Sequence, residues 1–152
     1  MKIVVQVVDE ASVRIEEHQV ENTIGKGYTL LVGFNHEDTK EIVDGMVKKL
    51  VNLRVFVDEN DKMNLSIKDV SGDILSISQF TLYADMKKGN RPSFVNAMQP
   101  DQASQLYDYF NEQLIKQDIK VQTGIFGSDM VVTIVNHGPI TIIMDSDEII
   151  KK

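Results

Sequence analysis

Cysteine is absent from the 152 residues, and histidine and proline occur only three times each. Without cysteine there is no disulfide framework, no thiol nucleophile and no thiolate metal site. His18, His36 and His137 are scattered without the spacing of a metal-binding pair, and the carboxylates form no comparable cluster, so no metal is expected. A glycine-rich phosphate loop is missing too. Gly25-x-Gly27 lacks the remaining glycine and the helix of a dinucleotide site, which argues against a nucleotide cofactor. Residues 1–5 form an apolar run too short for a secretion signal before Gln6 and Asp9 interrupt it, and no later stretch approaches membrane-spanning length. These absences lead us to expect a cytosolic protein with neither cofactor nor membrane partner.

Positive charge is the next scarcity: 16 Lys and Arg stand against 23 Asp and Glu, for a net charge of -7 at pH 7. So acidic a chain is not expected to coat long stretches of RNA, or to bind DNA, because each phosphate contact draws on a cation. Gripping one small end of a nucleic acid remains open to it. Residues 86–100 contain no acidic side chain, while Lys87, Lys88 and Arg91 lie close together. By charge alone this island reads equally well as a solvated loop.

What is present is a patterned core. A hydrophobic content of 42% over this length suits one domain, 1–152, and no composition break, repeat or linker divides it. Residues 2–8 and 12–16 read as strands around Asp9-Glu10, and 28–34 as another after the Gly25-Lys26-Gly27 turn. Thr39 caps an expected helix with Ile42, Val43, Met46, Val47, Leu50 and Val51 on one stripe. Short strands at 54–57 and 63–66 flank a polar turn, and a strong strand is expected over 74–82. Pro100-Asp101 starts a second helix in which Ala103, Leu106, Tyr107, Phe110 and Leu114 recur at helical spacing. Strands at 121–126, 130–135 and 140–144 complete the chain. The expected class is α+β: a β-rich domain with a mixed or antiparallel sheet, or a barrel-like core, and two packed helices.

Two stretches could carry chemistry. In 74–82, ILSISQFTL, alternate side chains share a face, so Leu75 and Ile77 are followed by Gln79 and Thr81. Buried amides and hydroxyls need partners, so these two either satisfy neighbouring main chain or line a pocket. Ser78 and Thr81 are candidate nucleophiles, without a Gly-x-Ser-x-Gly elbow or an evident base. In 131–146, VVTIVNHGPITIIMDS, Gly138-Pro139 falls between two β-branched runs. Proline cannot donate to a central ladder, and by composition Asn136-His137-Gly138-Pro139 reads as a hairpin loop. His137 could serve as a general base, although a loop histidine is more often simply exposed.

With Ser78-Gln79-Phe80-Thr81-Leu82 and Gly138-Pro139-x-Thr141 both in place, the chain resembles the D-aminoacyl-tRNA deacylase family, the D-tyrosyl-tRNA deacylases, whose signatures these are. The likeness runs from the amino terminus to Asp145-Ser146. It implies a homodimeric hydrolase that cleaves the ester joining a D-amino acid to the 3′-terminal adenosine of tRNA, with glycyl-tRNA also cleaved. It implies a cis Gly138-Pro139 peptide that reaches into the other subunit's site, where rigid backbone rejects L-substrates by clash. Ser78, Gln79, Phe80, Thr81 and Phe94 are then the catalytic set. Main-chain amides near Gln79 and Phe94 would hold the scissile carbonyl, with Thr81 as an alternative nucleophile. Gly138, Pro139, Thr141 and Met130 would shape the amino-acid pocket, and Lys87, Lys88 and Arg91 would meet the phosphates of the CCA end. No cofactor or metal is implied.

The chain departs from the family pattern in three places. Gln6-Val7-Val8 stands where the family usually reads Gln-Arg-Val, so an arginine commonly near Gly-Pro is absent. His137 replaces the usual aspartate before Gly-Pro, and Met86 replaces a commoner threonine. Two other readings compete: a non-catalytic dimeric module that binds an amino-acid-like ligand or an RNA end, and an esterase that pairs Ser78 or Thr81 with His137.

Overall fold

In a computed structural model that describes residues 1–150, strand β1 (Lys2–Ile15) runs through a six-stranded sheet. One edge of β1 pairs antiparallel with β3 (Gly27–Gly33) along its first half and with β2 (Val20–Ile24) along its second. Its other edge pairs antiparallel with β8 (Val131–Asp145). β3 continues in parallel with β6 (Asp73–Ser78), and β6 in parallel with β7 (Val121–Thr123), which stops short of the expected Phe126. Asn22 Nδ2 on β2 donates to the Thr123 carbonyl on β7 at 2.7 Å, so the two ends of the order β2-β1-β3-β6-β7 meet and the sheet nearly closes into a barrel. β4 (Phe56–Val57) and β5 (Met63–Leu65) form a separate hairpin.

The α+β class is as expected, with α1 (Lys40–Val51), α2 (Pro100–Ile115) and a short third helix, α3 (Ser146–Ile149), that patterning did not forecast. Thr39 Oγ1 accepts from Ile42 N at 3.3 Å to start α1. Val43, Met46, Val47, Leu50 and Val51 then turn into a core shared with Tyr107, Phe110 and Leu114 of α2. Tyr107 Oη donates to the Ser76 carbonyl at 2.7 Å and so ties α2 to β6; burial pushes its phenol above the ordinary tyrosine range. At the chain start, the buried Met1 ammonium lies 2.5 Å from Asp38 Oδ1 and 2.7 Å from Ser146 Oγ.

The first sixteen residues were expected as two strands, and they form one. Ile3, Val5 and Val7 face the core under the helices, whereas Val8, Ala11, Val13 and Ile15 face a second core inside the barrel. Side chains alternate along a strand, so changing faces requires a register break. The ladder with β8 shifts between Gln6 and Val8 and again between Val8 and Glu10, and the exposed Asp9-Glu10 marks that switch, not a turn.

The hairpin expected at 136–139 is likewise absent. The segments on both sides of it pair with the same strand, β1, so the chain never doubles back. Gln6 faces Thr141 and Val8 faces Asn136, which leaves residues 137–140 opposite Val7 alone. Pro139 sits in this bulge, where no ladder bond is asked of it. The Gly138-Pro139 peptide is cis and Gly138 has a φ of 113°, a conformation that favours glycine.

Candidate active site

The parallel ladder on β6 lasts only as long as its partner. β3 ends at Gly33 and β6 ends at Ser78, not at the expected Leu82. Gln79 N donates to the Val32 carbonyl at 2.7 Å, and Phe80–Tyr83 then coil into a 3-10 turn closed by Leu82 N to Gln79 O and Ala84 N to Thr81 O. Gln79 and Thr81 therefore do not extend the face of Leu75 and Ile77. The Gln79 side-chain amide donates to Thr81 Oγ1, and the Thr81 side chain is exposed.

Two adjoining cavities open at this turn. The larger, about 350 Å³, lies between the end of β3, Phe80, Phe94 and the start of α2; the smaller, about 280 Å³, lies between Ile77, Ser78, Met130 and Val132. Gln79, Phe80, Phe126 and Gly127 line both, so the two form one cleft with a shared wall. Phe80 is 55% exposed and meets Phe94 edge-on, ring centroids 4.9 Å apart. With Phe80 exposed and Phe94 half-buried, the pair presents an aromatic ring beside the cavity on which a ring-bearing ligand can stack.

Phe94 is delivered by the basic loop. Asp85 and Ser93 exchange two backbone hydrogen bonds, both 2.8 Å, and Asp85 Oδ1 accepts from Lys87 N at 2.9 Å. This closure leaves Lys87, Lys88 and Arg91 exposed on a loop whose base adjoins the cleft.

Of the residues singled out in the sequence, Ser78, Gln79, Phe80, Phe94 and Met130 come together at the cleft. Thr81 borders it without lining either cavity. Gly138, Pro139 and Thr141 line neither, are exposed, and lie on β8, which β1 and β3 separate from β6 in the sheet. His137 Nδ1 is 3.0 Å from an Asp9 carboxylate oxygen, away from Ser78 and Thr81. Among the described residues no cluster of His, Asp and Glu could hold a metal. Sequence reasoning missed Gly33, Phe34, Ala97, Met98, Phe126 and Gly127 as lining residues. The one signal for them was an aromatic residue at the end of a predicted strand, as at Phe34 and Phe126, which ordinary core residues give equally.

Fold and site together define a small α+β protein with a nearly closed barrel-like sheet and a cleft at the ends of two parallel strands, lined by main chain and aromatic rings. Residues 4–145 match the family described as D-Tyr-tRNA(Tyr) deacylase, and the chain belongs to that family of hydrolases, which act on the ester bond of D-aminoacyl-tRNA. Among solved structures it is similar to "c-Myc DNA Unwinding Element Binding Protein", with 42% identity, a TM-score of 0.88, and 95% of this chain and 98% of that one covered. A probable eukaryotic D-amino acid tRNA deacylase matches at 18% identity and a TM-score of 0.82, covering 94% of this chain and 97% of that one, a likeness of fold.

Proposed function

We propose that this chain, working as one domain over residues 1–152, removes D-amino acids and glycine from the 3′-terminal adenosine of tRNA. It does so as a cytoplasmic homodimer that clears mischarged tRNA for translation. The observation that carries this reading is the cleft that joins Ser78, Gln79, Phe80, Phe94 and Met130 in a chain of this family. The Phe80–Phe94 wall suits the terminal adenine, since stacking a base on an aromatic side chain is worth about 1–3 kcal/mol. The smaller cavity suits the aminoacyl group, and Lys87, Lys88 and Arg91 suit the phosphates that follow.

An aminoacyl ester is already activated, so the site has mainly to orient a water and stabilise the developing oxyanion. The N–H of Gln79 is committed to Val32. The leading N–H of the next turn, on Phe80, has no acceptor within that turn and is the donor this wall offers. Water adds to the carbonyl carbon, the bond to the 3′-oxygen breaks, and the substrate's 2′-hydroxyl relays a proton to that oxygen. The Thr81 hydroxyl, engaged by the Gln79 amide and without a base, is not the nucleophile.

Chiral selection falls to Gly138-Pro139 with Thr141. In one chain the bulge stands apart from the cleft, and Val131, Val135 and Ile143 are exposed along the same strand. Both features suit a second copy that covers β8 and receives the bulge in its own cleft, where a backbone wall leaves no room for an L side chain. One related structure carries a DNA-binding name, but with a net charge of -7 and one basic loop we assign a tRNA end here, so duplex DNA is not expected to compete.

The test is release of amino acid from D-tyrosyl-, L-tyrosyl- and glycyl-tRNA with a chelator present. Loss of the D- and glycyl esters with the L-ester spared supports the reading. Saturable binding without turnover would put a non-catalytic module in its place. Thr81→Ala should stay within about threefold of the parent rate; a loss beyond a hundredfold in a folded variant would reinstate the hydroxyl.

A further inference from the structure

We propose that Asp9 and His137 form the clamp that positions the Gly138-Pro139 bulge in this chain, and that they thereby set how sharply wrong esters are refused. The inference rests on the chiral-selection role proposed above for that bulge.

Residues 137–140 stand out from a ladder that is paired on either side of them, opposite Val7. Among the described residues they make one side-chain hydrogen bond: His137 Nδ1 lies 3.0 and 3.1 Å from the two Asp9 carboxylate oxygens. A carboxylate only accepts, so Nδ1 is the donor in this hydrogen bond. Ile140 packs against the core under the helices and holds the far end of the bulge, which leaves its entry to the Asp9–His137 pair. Val7 is apolar, 4% exposed and turned into the core under the helices. Asn136 keeps both of its amide atoms buried with no partner. Asp9 has no ladder partner of its own, but β1 is paired at Val8 just before it and at Glu10 and Ala11 just after it, so its backbone is held from both sides. Its partner is the residue immediately before Gly138, so holding that ring holds the entry to the bulge.

Rejection by clash is only as sharp as the wall is rigid, since a wall that yields admits the substrate it should exclude. The two side chains are 63% and 59% exposed, which makes this a weak pair that salt screens. Its effect belongs on the selectivity ratio and should be modest.

The experiment compares the parent protein with Asp9→Ala, with Asp9→Glu, and with the exchange of Asp9→His and His137→Asp. Each is assayed for kcat and KM on D-tyrosyl-, L-tyrosyl- and glycyl-tRNA. Asp9→Ala should lower the D-to-L ratio of kcat/KM about threefold, mainly through a higher kcat on the L-ester. Asp9→Glu and the exchange should recover most of the ratio, and the difference should fade in about 0.5 M salt. Amide hydrogen exchange at His137, Gly138 and Ile140 reads the clamp without substrate and should quicken in Asp9→Ala. Unchanged exchange, or an unchanged ratio in an active protein, overturns the clamp. Quickened exchange in Asp9→Ala, with a parent protein that cleaves none of the esters, would instead overturn the deacylase reading and leave the clamp standing.

Discussion

A methyl group on Gly33 would stand 2.8 Å from the Gln79 carbonyl oxygen and 3.2 Å from Leu82 Cβ, so hydrogen is the substituent that leaves the turn after β6 in place. Gly33→Ala should cost about 1–3 kcal/mol, the range for forcing atoms into a packed site, and should lower kcat more than it raises KM. Urea unfolding and steady-state kinetics on a D-aminoacyl-tRNA would check both. This residue also marks a limit of sequence reading at the smallest scale. Ser78, Gln79, Phe80 and Phe94 were legible because they sit in or beside a recurring motif. Gly33 was not, because its contribution is an empty volume beside another segment 46 positions away, and nothing in its own neighbours reports that segment.

Elements were read well where local signals and tertiary pairing agree. Thr39 and Pro100 placed the helix starts correctly, and the apolar stripes of α1 and α2 predicted which faces are buried. Reading failed where pairing overrides propensity. The β-forming run 74–82 stops at Ser78 because its partner strand ends, and β1 and β8 each look like two strands because a bulge interrupts the alternation that pattern analysis relies on. The basic loop belongs to this scale too, since its closure by Asp85 and Ser93 is independent of the charges it displays. Reversing Lys87, Lys88 and Arg91 to glutamate should weaken tRNA binding by more than tenfold at low salt and flatten its salt dependence, with no change in melting temperature. A binding isotherm series from about 50 to 200 mM salt measures this, and an unaltered slope would remove these residues from the RNA contact.

At the scale of the whole molecule, a buried charge pair ties the chain start to the segment before α1, and a hydrogen bond ties it to α3. The Met1 ammonium meets Asp38 and Ser146, and Asp38 Oδ2 also accepts from Asn35 N at 2.7 Å. Asp38→Asn would leave the ammonium buried without its counter-charge, and a loss of about 3–5 kcal/mol in urea unfolding is expected, large against the stability of a domain this size. No composition or periodicity pointed to this contact, which links residues 145 positions apart. Strand β8 lies outside the order β2-β1-β3-β6-β7 and is held by β1. Ladders to β1 fix it on both sides of residues 137–140, one over each core, so a residue gained or lost between Asn136 and Thr141 is absorbed where it arises. Such a site is open to evolutionary tinkering: a lineage that lengthens or shortens this segment reshapes the bulge, and with it the selectivity proposed for it, while inheriting the same fold.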